Sequence, residues 1–242
     1  FTTRSPLYNQ IMQLKNNSVQ ELDLPKQTLN NDVWFTVFMK SLKANTSLSK
    51  LRFRSDTIDA LRAQKLAEVL KVNKNLTSLR LGCNQIGAAG AKELAEALKV
   101  NRTLSSLDLS DNLFKAAGVK ELAEMLKVNR ILTSLNLEYN KIDAAGAKEL
   151  TEALKVNATL TELNLSDNNI GSAGAKELAE VLKVNRALIS LDLQSNNIDS
   201  AGAKELAEAL KVNSNLAELN LEYNKIDAAG ADRKSTRLNS SH

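Results

Sequence analysis

The side chains able to do chemistry are few in this chain, and most are copies of one another. There is a single cysteine, Cys83, and a single histidine, His242, in the last position. That inventory excludes a His-based nucleophilic triad, a Cys/His pair and a zinc-ligand cluster, so no cofactor or metal is expected. Carboxylates are plentiful, but Glu93 and Glu96 recur with the sequence period on one helical face. They are not an opposed acid/base pair across a cleft. The recurring GAAGAK is rich in small residues but lacks the GxxxxGK[ST] phosphate loop, and it reads as helix entry. What remains is recognition chemistry: charged and aromatic side chains presented at regular intervals.

The element that must position them is a 28-residue unit, LxxLxLxxNxIxxxGAxxLAxxLKVNxx, repeated six times from Leu48 to Asn215. The copies begin at Leu48, Leu76, Leu104, Leu132, Leu160 and Leu188. A divergent 29-residue unit from Val19 precedes them and an incomplete one from Leu216 follows. Fixed-period self-similarity implies one elongated solenoid, in which each unit buries its apolar face only by leaning on its neighbours.

Within one unit, the alternation of Leu79 and Leu81 is the period-2 mark of a short strand. Asn84 and its equivalents Asn112, Asn140, Asn168, Asn196 and Asn224 fall where the chain leaves the strand. An amide there can donate and accept, satisfying turn backbone groups in a stacked ladder. Ile86, Gly90, Leu94, Ala95, Ala97, Leu98 and Val100 then trace one apolar helical face. Lys92, Glu93, Glu96 and Lys99 mark the solvated one, with Lys92 and Glu96 spaced as an i,i+4 pair. Parallel strands sit roughly 4.8 Å apart and packed helices about 8 to 10 Å, so the stack must bend with strands inside. The expected fold is therefore an α/β solenoid shaped as a horseshoe, with strands on the concave face and helices on the convex face.

The run LxxLxLxxNxI followed by GAxxLAxxLK resembles the ribonuclease-inhibitor type of leucine-rich repeat over residues 19 to 231, with departures at Gln27, Asp56 and Arg62 in the first units. That family includes ribonuclease inhibitors, NOD-like receptor repeat regions and activators of the Ran GTPase. The resemblance implies a non-enzymatic scaffold that binds a protein, as part of a larger receptor-like or regulatory protein. Ribonuclease inhibitors are rich in cysteine, which sets this chain apart. The alternative, a GTPase activator of the Ran type, implies an exposed arginine or asparagine beyond the strands; Arg54 and Arg62 are the nearest arginines, without a matching motif.

Between copies the framework is constant while the outward strand positions change. Lys50, Arg52, Arg54 and Arg80 stand near the N-terminal end, and Glu138, Glu162, Asp167, Asp192, Glu218 and Glu222 farther along. These residues, with Tyr139 and Tyr223, form the candidate partner-binding set, on a face expected to be electrically polarised. Such polarity orients a charged partner and speeds its association. The two tyrosines lie in matching EYNKIDAAG segments 84 residues apart, at the rim position also held by Cys83, Asp111, Asp167 and Ser195. Tyrosine is a frequent interface anchor.

Residues 1–18 read as the helix of a preceding repeat or a cap, with Ser5 and Pro6 at its start and Leu7, Ile11 and Leu14 as its stripe. Trp34, Phe35 and Phe38 read as packing in the first repeat. Asp232 to His242, DRKSTRLNSSH, breaks the pattern mid-helix and resembles the in-frame translation of a sequencing-library adapter, so it is set aside. Without it the net charge falls from +4 to +2, and the remaining Lys and Arg interleave with Glu and lack a series of stacking aromatics. Nucleic-acid binding is not expected. No apolar run long enough for a membrane span appears. A lone thiol favours a reducing compartment, hence a cytoplasmic location. The Asn-x-Ser/Thr triplets at Asn45, Asn75, Asn101 and Asn157 read as by-products of a repeated asparagine. Leu216, Leu219, Leu221 and Ile226, lacking a following repeat, are expected to fray or self-associate.

Overall fold

The computed structural model describes residues 6–25, 29, 31–54 and 58–227. Strand and helix alternate throughout: α1 (Pro6–Lys15), β1 (Glu21–Leu24), α2 (Asp32–Ala44), β2 (Lys50–Phe53), α3 (Ala60–Leu70), β3 (Ser78–Arg80), α4 (Gly87–Val100), β4 (Ser106–Asp108), α5 (Lys115–Leu126), β5 (Ser134–Asn136), α6 (Ala144–Leu154), β6 (Glu162–Asn164), α7 (Gly171–Leu182), β7 (Ser190–Asp192), α8 (Ser200–Leu210) and β8 (Glu218–Asn220). The eight strands form one parallel sheet in chain order. From β2 onward register advances by one repeat per strand, so Leu51, Leu79, Leu107, Leu135, Leu163, Leu191 and Leu219 stand side by side. Each helix packs on the next, giving the solenoid horseshoe that the repeat predicts.

The core is continuous from Leu7 to Leu219. Phe35 and Phe38 are fully buried against Phe53, with ring centroids 6.5 and 6.0 Å apart. Leu216 and Leu219 are 7% and 8% exposed against 1% for Leu188 and Leu191, because no strand follows β8 among the described residues. Gln27, Asp56, Ser5 and the 228–242 segment lie outside the described residues.

Two asparagine ladders close the repeat at its two ends. At the strand exit, Asn140 Oδ1 accepts from the N–H groups of Asn112 (3.0 Å) and Phe114 (3.4 Å), while Nδ2 donates to the carbonyls of Leu109 (2.9 Å) and Glu138 (3.0 Å). One buried side chain thus satisfies four backbone groups in two repeats. At the strand entry, Asn157 Oδ1 accepts from the N–H groups of Thr159 and Leu160, and Nδ2 donates to Leu126 in the repeat before (2.8 Å). Asn45 and Asn101 are buried and bonded in the same way. These three sequons are therefore ladder asparagines, and a glycan on any of them would break the ladder.

Two details of the helices correct the sequence reading. Val100, placed on the apolar face, is 55% exposed, since it ends α4 where the chain turns away from the core. Glu96 pairs with Lys99 at i+3 (2.6 Å) and not with Lys92, and five other repeats form the same pair, as in Glu124–Lys127. The i+3 lysine lies at the helix C-terminal end, where the macrodipole adds to its attraction. Such exposed pairs contribute little to stability.

Helices start in two ways. Asp59, Asp143 and Asp199 are N-caps whose carboxylates accept from backbone N–H groups of the first turn. In α4 and α7 the first residue is Gly87 or Gly171 with φ of +59° and +62°, and α5 puts Lys115 in that slot at φ +52°. A Cβ is strained there, whereas glycine is not. Lys115→Gly is expected to stabilise the protein by about 0.5–1 kcal/mol after the glycine's larger unfolded-state entropy is counted. A higher urea midpoint checks this, and an unchanged or lower one contradicts it.

Candidate functional site

The outward positions of the strands form one concave face. Lys50 and Arg52 lie on β2 with Arg54 just beyond it, Arg80 ends β3, and Glu162, Asp192 and Glu218 lie on β6, β7 and β8. Glu138 and Glu222 follow β5 and β8 by two residues. Tyr139, Asp167 and Tyr223 occupy the rim turn. A groove of about 350 Å³ crosses this face, bounded by Ser134, Asn136, Glu162, Asn164, Asp192 and Glu218.

The rim residues share one backbone state. Cys83, Asp111, Tyr139, Asp167, Ser195 and Tyr223 all have φ between +48° and +57°. The sharp left-handed turn throws each of these side chains off the sheet edge. It leaves Tyr139 56% and Tyr223 81% exposed, large rings held on a fixed backbone. A β-branched residue would be an outlier there, consistent with the Cys, Asp, Tyr and Ser that occupy it.

The basic end is less open than the sequence reading expects, because β1 supplies carboxylates that it passed over. Glu21 pairs with Lys50 (2.6 Å), and Asp23 holds Arg54 through three hydrogen bonds of 2.6 to 3.1 Å. Arg54 in turn keeps the Asp23 carboxyl below its usual range. The alternation in ELDL carried the signal, since counting from Val19 sets Glu21 opposite Lys50 and Asp23 opposite Arg52. Arg62 is pinned too, paired with Asp32 at 2.9 Å and stacked 5.4 Å over the Phe35 ring. Arg52 and Arg80 are exposed neighbours in register, a local concentration of positive charge.

Beyond β3 the face turns acidic. Asp108, Asn136, Asn164 and Asn220 add to the residues read from sequence, and Asp108, Glu138, Glu162, Asp167, Asp192, Glu218 and Glu222 form no ion pair with a described Lys or Arg. Burial raises the Glu138 carboxyl above its ordinary range, and the neighbouring Asp167, Asp108 and Asp192 push it further, opposed by a hydrogen bond from Asn136. A carboxyl whose folded pKa lies above its unfolded one destabilises the fold at neutral pH, and the penalty disappears as pH falls through the folded value. Glu138→Gln is therefore expected to raise stability at pH 7 and to match the parent chain once the carboxyl is protonated. Melting curves across that range check the sign; a mutant destabilised at pH 7 contradicts it.

Among the described residues no group of three or more His, Cys, Asp or Glu side chains could hold a metal ion, and no helix is long and apolar enough to cross a membrane. The architecture is that of a repeat solenoid with one continuous parallel sheet face. The Leucine Rich repeat pattern matches residues 72–95, 100–123, 128–150, 156–179, 184–207 and 212–232, more than half of the chain, which therefore belongs to the leucine-rich-repeat family. No curated protein matches the sequence significantly. Among solved structures the chain is similar to Leiomodin-1 Actin-Binding Site 2, at 27% identity and a TM-score of 0.54, covering 61% of this chain and 86% of that one. It is similar also to an internalin, InlF, from Listeria monocytogenes, at 21% identity and a TM-score of 0.52, covering 91% of this chain and 62% of that one. The internalin likeness concerns the fold alone. The kinship shown is with leucine-rich-repeat proteins broadly; these matches do not distinguish a ribonuclease-inhibitor, NOD-like receptor or Ran-activator subtype.

Proposed function

We propose that the array is a protein-interaction scaffold, binding its partner on the concave face and rim as part of a larger receptor-like or regulatory cytoplasmic protein. The observation that carries this reading is the contrast between a framework repeated in every unit and a concave surface that is not. Seven carboxylates without a basic partner among the described residues and two exposed tyrosines are gathered on one face, whereas the helix faces carry Lys interleaved with Glu, with one Glu–Lys pair in each of six repeats. Like charges gathered on one face attract and orient a partner of complementary potential. The similarity to a structure whose title names an actin-binding site supports a protein-binding role for this kind of array. The GTPase-activator alternative gains no support, since Arg54 and Arg62 are both engaged by carboxylates of the chain.

A photo-crosslinking amino acid at Ser134 on the concave face, compared with one at Ala145 on the exposed face of α6, tests the proposal in cell extract. Discrete crosslinked products from position 134 that compete away with excess unlabelled array are expected. Products from position 145 alone would move the interface to the convex side.

A further inference from the structure

The acidic face contains the same small arrangement twice. Asp108 ends β4, and its in-register neighbour Asn136 ends β5. Asn136 Oδ1 accepts the N–H of Glu138 at 2.9 Å, and Tyr139 follows at the rim with φ +55°. Three strands on, Asp192 ends β7 beside Asn220 of β8. Asn220 Oδ1 accepts the N–H of Glu222 at 3.0 Å, and Tyr223 follows with φ +56°. Asn220 also donates to Asp192 Oδ2 at 3.2 Å, holding that carboxylate toward the neighbouring strand. Each copy thus brings two carboxylates and an exposed phenol ring together at one edge of the sheet, on a backbone fixed by the same hydrogen bond.

Resting on the concave-face reading, we infer that these are two equivalent subsites, each for one arginine side chain, and that the partner presents a segment with two arginines that runs along the arc. Glu138 and Glu222 supply the carboxylates for a guanidinium, Asp108 and Asp192 add negative charge beside them while their Oδ1 atoms accept from Ser110 and from the Gln194 N–H, and the tyrosine ring offers a face over which that planar cation stacks. Three strand spacings of roughly 4.8 Å separate the subsites by about 14 Å. An extended segment reaches that distance between residues i and i+4, whose side chains point to the same face at a rise of about 3.4 Å per residue. Holding both arginines on one chain makes the second contact intramolecular, so affinity rises steeply only when the spacing matches.

The test uses fluorescein-labelled extended peptides with one arginine, with two at i and i+2, or with two at i and i+4, titrated with the array at fixed salt. The i,i+4 peptide is expected to bind more than tenfold tighter than the other two. The double variant D108N/E138Q, or equally D192N/E222Q, should bring it down to the single-arginine affinity, and Y139A or Y223A should weaken it by a smaller factor. The variant E162Q removes a carboxylate of the candidate binding face that belongs to neither subsite; it should weaken all three peptides by a similar small factor and leave the spacing preference intact. Affinity indifferent to arginine spacing, or a loss with E162Q as large as with either double variant, would mean a diffuse acidic field and overturn the inference. If in that case crosslinks from position 134 persist, the scaffold reading stands without the paired subsites; if they are lost as well, both fall.

Discussion

Asn140→Ala is expected to lower stability by roughly 2–5 kcal/mol, because two buried N–H groups lose their acceptor. The amide partners the N–H groups of Asn112 and Phe114 and the carbonyls of Leu109 and Glu138, all at a fully buried position. Truncation leaves the Asn112 and Phe114 N–H groups without an acceptor, at about 1–3 kcal/mol for each that water cannot reach, whereas the Leu109 carbonyl keeps Asn112 Nδ2 and the Glu138 carbonyl keeps the Asp111 N–H. The damage crosses the boundary between two repeats, so it weakens the coupling that holds a solenoid together as well as the unit itself. Asn140→Asp is informative beside it: a carboxylate keeps the acceptor role but cannot donate to Leu109 and Glu138. A urea midpoint for Asn140→Ala close to the parent chain would show that the ladder is dispensable.

The second large effect is at the helix interface. Gly174 in α7 faces α6 so closely that a Cβ there would lie 2.5 Å from Ile170 Cγ2, 3.1 Å from Ala147 Cβ and 3.3 Å from Ala144 Cα. The last of these is backbone, and Ile170 is branched at Cβ and fully packed, so neither neighbour can swing away. Gly174→Val is expected to cost about 2–3 kcal/mol through overpacking. Gly174→Ala should cost less, since alanine regains about 1 kcal/mol of helix propensity over glycine. Thermal melts of the two variants check the order; a valine variant as stable as the alanine one would mean that the helices separate without penalty.

Much of this was readable beforehand because a repeat states each requirement many times. The Leu79/Leu81 alternation set the strand, Asn84 and its equivalents set the exit ladder, and the rim residues could be aligned before any geometry was known. What escaped the reading depends on relations between units or on chain direction. The entry ladder at Asn73, Asn101 and Asn157 was visible as a recurring asparagine, but its bonds reach back 31 residues, to carbonyls at the end of the preceding helix. The partners of Lys50 and Arg54 lie in β1, where Glu21 stands opposite Lys50 and Asp23 opposite Arg52; a reading that follows only the basic residues passes over these carboxylates of the divergent first unit. Val100 fits a helical stripe by spacing yet sits at the last turn, where the face it continues has already left the core.

The same distinction separates framework from site. Positions identical in every unit are explained by burial and hydrogen bonding, and no recognition role needs to be added to them. Tyr139 and Tyr223 are exposed, and the carboxylates beyond β3 are exposed or half-buried outside the apolar core. Their arrangement on one sheet face follows from register alone, which is how residues 84 apart in sequence become equivalent in space.

Hydroxyl-radical footprinting of the array, free and bound to the partner captured through position 134, tests the location of the interface most directly. Protection at Tyr139 and Tyr223, with Leu61 and Val100 on the convex side and its edge reacting as in the free protein, is the predicted result. Unchanged reactivity at both tyrosines with protection confined to the convex side would contradict a concave binding face.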